Sequence, residues 1–190
     1  KDNEWSGTNT DVEGFIYPLR NSYLKNKRGT ILGSGGAARA AVQGLLELKL
    51  SEINVITRNR KSLAKILKDF SGDTKINGFI DENESNDKLI QNSDLVVNST
   101  PVGMKSISNK EHSLPFGEKI WKSLTPDTII YDLIYNPRKT PLLEFGLKRN
   151  CIAIDGLEML ASQGAKSLSF WTNGLEAPFE LMKKSLEEYI

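Results

Sequence analysis

The decapeptide GSGGAARAAV, residues 33–42, constrains this chain more than any other stretch. It follows a short apolar run, TIL (30–32), and opens an Ala- and Leu-rich segment, GAARAAVQGLLELK (36–49), that reads as a helix. In the pattern G-x-G-x-x-G/A the first Gly makes a tight turn and the second admits a pyrophosphate. The small third residue lets the helix pack on its strand. Gly33, Gly35 and Ala38 stand at these positions, with Ser34, Gly36 and Ala37 between them. A phosphate there meets unpaired N–H groups and the positive end of the helix dipole. Taken alone, the stretch also suits a tight turn with no ligand.

The surrounding pattern favours the dinucleotide. INVIT (53–57), KINGFI (75–80), DLVVNST (94–100), TIIYDLIY (128–135) and CIAID (151–155) read as further strands. Between them KSLAKILKDF (61–70) places Leu63, Ile66, Leu67 and Phe70 on one helical face. DKLIQNS (87–93) and TPLLEFGLKRN (140–150) also read as helices, as do residues 157–171 and 176–189. This βαβαβαβ rhythm predicts an α/β fold, a Rossmann-like doubly wound parallel sheet with helices on both faces. DENESND (81–87) and residues 105–118 read as polar loops.

Composition narrows the function. Lys plus Arg number 25 and Asp plus Glu 24, so no bulk charge draws the chain to nucleic acid or a membrane. No apolar run approaches the ~20 residues of a membrane span. A single cysteine, Cys151, rules out an intrachain disulfide and fits the reducing cytoplasm. The lone histidine, His112, has no second His or Cys to make a metal site and reads as a surface residue. Trp5, Trp121 and Trp171 read as packing residues.

After the second strand an NAD site would usually carry Asp or Glu for the ribose 2′-hydroxyl. Here the chain reads Arg58, Asn59, Arg60, Lys61. Guanidinium groups suit a 2′-phosphate, so the turn favours NADP over NAD. NSTPVGM (98–104) lies at the end of a strand, where ligands of open α/β sheets bind, and Thr100 is a candidate cofactor contact.

GTNTDVEGF, GSGGAARA, NSTPVGM, YDLIYNPRKTPLL and DGLEMLASQGAKSLSFWTNG stand in this order between Gly7 and Gly174, and together they resemble the shikimate dehydrogenase family. The resemblance implies two α/β domains around a cleft. It also implies NADPH-dependent, reversible reduction of 3-dehydroshikimate to shikimate in aromatic amino-acid biosynthesis. The family's catalytic pair is a Lys and an Asp, and Asp11 matches the Asp. Tyr135 and Gln163 match substrate-holding residues, Gly33 to Ala37 the pyrophosphate loop, and Leu133 and Gly156 residues beside the nicotinamide. Arg58 to Arg60 fall where the family usually has Asn-Arg-Thr, which leaves open which Arg meets the 2′-phosphate.

The family's N-terminal substrate domain, bearing the catalytic Lys, would precede Asn9-Thr10-Asp11. The expectation is a cofactor-binding half over residues 1–190. Residues 1–25 would cross from the absent domain, and helices in 157–190 would return toward it. Apolar residues near Phe15, Ile16 and the last two helices are expected to face that domain. Without the resemblance, Asp11 reads as a helix N-cap, Tyr135 as strand-end packing and Gln163 as a surface residue. Lys25, Lys27 and Lys139 read as solvated. A non-catalytic NADP-binding module and an NAD-using quinate dehydrogenase are the alternatives.

Overall fold

The computed structural model describes residues 7–72, 74–81, 86–105 and 113–190. Trp5 and His112 lie outside them, as does most of the acidic loop at 82–85. The strands are β1 (Arg28–Leu32), β2 (Glu52–Thr57), β3 (Lys75–Ile80), β4 (Leu95–Asn98), β5 (Ile129–Asp132) and β6 (Ile152–Ile154). All neighbours pair in parallel, in the order β3-β2-β1-β4-β5-β6. The helices are α1 (Asp11–Ile16), α2 (Gly36–Glu47), α3 (Arg60–Asp69), α4 (Asn86–Gln91), α5 (Pro141–Leu147), α6 (Leu157–Trp171) and α7 (Phe179–Tyr189). Two 3₁₀ turns, Tyr17–Leu19 and Lys119–Ser123, complete the set among the described residues.

The fold is thus a Rossmann-like, doubly wound sheet. Successive strand residues feed opposite layers. Ile31, Val55, Val97 and Tyr131 join Phe15, Val42, Leu45, Ile66 and Met159 on the α1/α2/α3/α6 side. Leu32, Ile56, Val96 and Ile130 join Ile90, Trp121, Leu142 and Leu143 on the α4/α5 side. Burial on both faces explains why the inner strands read as unbroken apolar runs rather than alternating ones. The sheet winds outward from β1 through β2 to β3, then returns to place β4 on the other side of β1. That reversal lies between β1 and β4, and a crevice at the carboxyl ends of such strands is where ligands settle.

The expected elements form, with shifted ends. The short TIL strand extends back to Arg28, because pairing with β2 and β4 holds Arg28 and Gly29 in the ladder. Three expectations fail. Leu67 does not share the buried face of α3: it is 37% exposed, while Leu63 and Ile66 are buried. α3 lies over β2 and the edge strand β3, so no further layer covers its outer flank. Phe15 does not wait for another domain; it is fully buried and stacks on Tyr131 with ring centroids 5.2 Å apart. Trp121 packs in the core with Nε1–H donating to the Pro115 carbonyl at 2.8 Å, but Trp171, at the end of α6, is 77% exposed.

Candidate functional site

The site is built at the carboxyl edge of the sheet. Gly33 leaves β1 with φ +107°, and a Cβ there would stand 2.6 Å from Ser99 Oγ. Its glycine is therefore demanded by the fold, both by backbone conformation and by the close approach of β4. Gly35 and Gly36 differ. Neither has a positive φ, and a Cβ at either would meet nothing within 4 Å. Gly35 is the N-cap of α2, and no side chain caps that helix end, whereas Asn59 caps α3 and Thr140 caps α5. The open space over α2 and its uncapped N–H groups fit the pyrophosphate of a dinucleotide.

A hydroxyl cluster joins this loop to the basic turn. Ser34 Oγ pairs with Thr57 Oγ1 at 2.8 Å and with Ser62 Oγ. Ser34 thus holds the two loops together. Asn59 caps α3, its Oδ1 accepting from the Ser62 N–H at 3.1 Å. Arg58 is bound through Nε to Asp81 Oδ2 at 2.8 Å, and its guanidinium lies 5.2 Å from the centre of the Phe116 ring. Arg60 begins α3 and is exposed.

At the other end, Asp11, Ala37, Leu133, Tyr135, Gly156, Met159, Leu160 and Gln163 line one cavity of about 220 Å³. Asp11 is not the helix cap: it is the first residue of α1, with Thr10 before it, and its own N–H donates to Asn9 Oδ1 at 2.8 Å. Thr10 Oγ1 pairs with Ser167 Oγ at 3.0 Å and Lys166 pairs with Glu13 at 3.0 Å, which fixes α1 against α6 and brings Asp11 beside Gln163. Tyr135 is 39% exposed, so it does not serve as strand-end packing. The Asp11 carboxylate, the Tyr135 hydroxyl and the Gln163 amide make no side-chain hydrogen bond among the described residues, so their polar ends remain available. Gly156 is buried where a Cβ would lie 2.2 Å from the Leu133 carbonyl oxygen, so its glycine seats α6 against the end of β5. Lys25 and Lys139 are exposed and Lys27 pairs with Asp94 at 3.1 Å; none lines this cavity.

The hydroxyl of Thr100, the candidate cofactor contact after β4, donates to Asn98 Oδ1 at 2.7 Å. Asn98 in turn belongs to a buried network that the sequence did not reveal. Asp132, at the end of β5, accepts from Asn98 Nδ2 at 2.9 Å, Thr140 Oγ1 at 2.7 Å and the Ile134 N–H at 3.2 Å. Burial pushes this carboxyl up to about 6, and the Thr140, Ile134 and Asn98 hydrogen bonds oppose the rise. The readable signal was an acid closing an otherwise apolar strand, TIIYD.

The profile described as Shikimate 5′-dehydrogenase C-terminal domain matches residues 156–187. Shikimate dehydrogenase (NADP(+)) of Prochlorococcus marinus strain MIT 9515 is 54% identical over 189 residues, covering 100% of this chain and 66% of that protein. The solved shikimate 5-dehydrogenase of Listeria monocytogenes, in complex with shikimate and NAD, superposes with a TM-score of 0.83 at 32% identity, covering 98% of this chain and 65% of that one. A solved shikimate dehydrogenase in complex with NADP⁺ superposes with a TM-score of 0.80 at 30% identity, over 100% of this chain and 64% of that one. The chain spans just under two thirds of the length of these relatives, 66% of the Prochlorococcus protein and 65% of the Listeria one. With identity carried along its whole length and the same winding of the sheet beneath it, the chain belongs to the shikimate dehydrogenase family.

Proposed function

We propose that this chain is the NADP-binding part of a cytoplasmic shikimate dehydrogenase, which interconverts 3-dehydroshikimate and shikimate. The observation that carries the reading is the single cavity on which Asp11, Leu133, Tyr135, Gly156 and Gln163 converge, next to Ala37 of the glycine loop. The bound cofactor supplies the hydride to the substrate carbonyl. The chain's own residues do the rest. The uncapped end of α2 and the space over Gly35 and Gly36 hold the pyrophosphate. Arg58 meets the 2′-phosphate. Leu133, Met159 and Leu160 keep water from the reacting face. Asp11 accepts a hydrogen bond from the substrate hydroxyl and orients it, and Tyr135 and Gln163 hold the remaining polar groups.

The domain reading is also a proposal. Residues 1–25 would cross from a substrate domain and helices in 157–190 would pack back against it. Two facts support it: this chain covers only 66% of the Prochlorococcus relative, and α6 and α7 present Phe170, Trp171 and Leu181 exposed. A second reading, a non-catalytic NADP-binding module, draws on the cavity lining, which holds Asp11 but neither lysine nor histidine.

The test follows NADPH absorbance with 3-dehydroshikimate. It uses this chain alone, then the chain joined to the complementary third of the Prochlorococcus relative. Turnover by the joined protein, lost on Asp11→Asn, is expected. Tight NADPH binding with no turnover in the joined protein supports the binding module instead.

A further inference from the structure

Asp81 is the first residue beyond β3, and the β2–β3 pairing places it beside Arg58. Thr57 is in register with Ile80, and the Asp81 N–H donates to the Thr57 carbonyl at 3.1 Å, which carries the ladder one step further. Across that step the Asp81 carboxylate, only 18% exposed, takes the Arg58 Nε–H at 2.8 Å. The guanidinium carbon also lies over the Phe116 ring, 5.2 Å from its centre. Thr57, the residue before Arg58, is joined to the glycine loop through Ser34 at 2.8 Å. The anchor, the ring and the loop therefore fix where this guanidinium sits relative to the dinucleotide site.

The mode of contact matters. The bond to Asp81 is made on the Nε edge, and among the described residues no hydrogen bond engages Nη1 or Nη2. The Arg58 side chain is 71% exposed. The terminal nitrogens, the prongs that grip a phosphate in bidentate fashion, are left available while the stem is held. A surface ion pair of this kind contributes little to stability. Its consequence is the orientation of a side chain that otherwise samples many rotamers.

We propose that Asp81 is a positioning residue for cofactor discrimination: by anchoring Arg58 through Nε, it directs the guanidinium at the 2′-phosphate that separates NADPH from NADH. This rests on the reading above, in which Arg58 meets that phosphate. It adds a residue just beyond β3 that carries negative charge yet strengthens binding of an anion, because ordering Arg58 outweighs the repulsion.

The experiment titrates NADPH and NADH into the wild-type chain and into Asp81→Ala, Asp81→Asn, Arg58→Ala and the Arg58→Ala/Asp81→Ala pair. Tryptophan quenching or calorimetry reads the affinity, and thermal unfolding confirms folding. Asp81→Ala should weaken NADPH about 3- to 10-fold and leave NADH within about twofold, which is 0.6–1.4 kcal/mol of discrimination. Asp81→Asn, of nearly the same size, keeps the test open if the alanine variant fails to fold. In the Arg58→Ala background the Asp81 change should bring no further loss, because Asp81 acts through Arg58. NADPH binding unchanged or strengthened in both Asp81 variants overturns the inference. So does a further loss in the Arg58→Ala background. Equal NADPH and NADH affinities in the wild type, or no effect of Arg58→Ala, would bring down the Arg58 reading itself and this inference with it.

Discussion

Gly33 and Gly35 stand two residues apart and are glycine for different reasons. A side chain at Gly33 must adopt a positive φ and meets Ser99 at 2.6 Å, so Gly33→Ala should cost roughly 1–3 kcal/mol of stability. A Cβ at Gly35 meets nothing within 4 Å, so Gly35→Val should leave the circular dichroism spectrum intact. It should still weaken NADPH at least tenfold, about 1.4 kcal/mol, by filling the space over the end of α2. Cofactor titration and chemical unfolding on both variants check the pair. NADPH affinity preserved in Gly35→Val would mean that the loop is only a turn. The glycine spacing was legible in the sequence, but the division of labour within it was not. Only the approach of Ser99 from β4 shows which glycine the fold requires. Leu67 makes a similar point: its spacing matched the buried face of α3, and its exposure comes from the position of α3 at the sheet's edge.

The ends of β4 and β5 and the start of α5 are tied together by Asp132. Its native carboxyl is raised from 3.8 to about 6 by burial. The unfolded chain releases this proton near the ordinary value, so between those two pH values the native state binds more proton. Unfolding free energy from this group therefore falls as pH rises from about 4 to about 6, by on the order of 3 kcal/mol, and stays level above. Urea unfolding of wild type and Asp132→Asn at about pH 4.5 and about pH 7 measures it. The wild type should lose stability relative to the variant on going to the higher pH. Parallel pH dependences in the two proteins would refute the assignment. β5 and the helix after it were legible from TIIYD and from Thr140 before Pro141, a favoured cap followed by a favoured first residue. The hydrogen bonds from Asn98 and Thr140 to Asp132 join residues 34 and 8 positions apart, and no local pattern encodes the longer of them.

Across the whole molecule, the cavity between α1, α2 and α6 has a carboxylate, a phenol and an amide, and neither lysine nor histidine lines it among the described residues. The chain alone is therefore expected to bind NADPH without oxidising it in the presence of 3-dehydroshikimate. Loss of a general acid typically costs ~10²–10⁴-fold. Steady NADPH consumption by the chain alone would show that the acid lies elsewhere on its surface. The sequence by itself determined the parallel α/β class, the glycine loop and the basic turn, and its resemblance to a family pointed to Asp11, Leu133, Tyr135, Gly156 and Gln163 but not to Met159 or Leu160. Those signals are local: periodicity, small-residue spacing, and motifs that keep their order along the chain. Tertiary structure decided which residues of that set meet. Strand register set Asp81 beside Arg58, and sheet reversal brought Ser99 against Gly33. The packing of α1 on α6 carried Asp11 to Gln163, 152 positions away in the chain. Each of those contacts depends on where a distant strand or helix comes to rest, which is set by burial of both sheet faces rather than by the residues that make the contact.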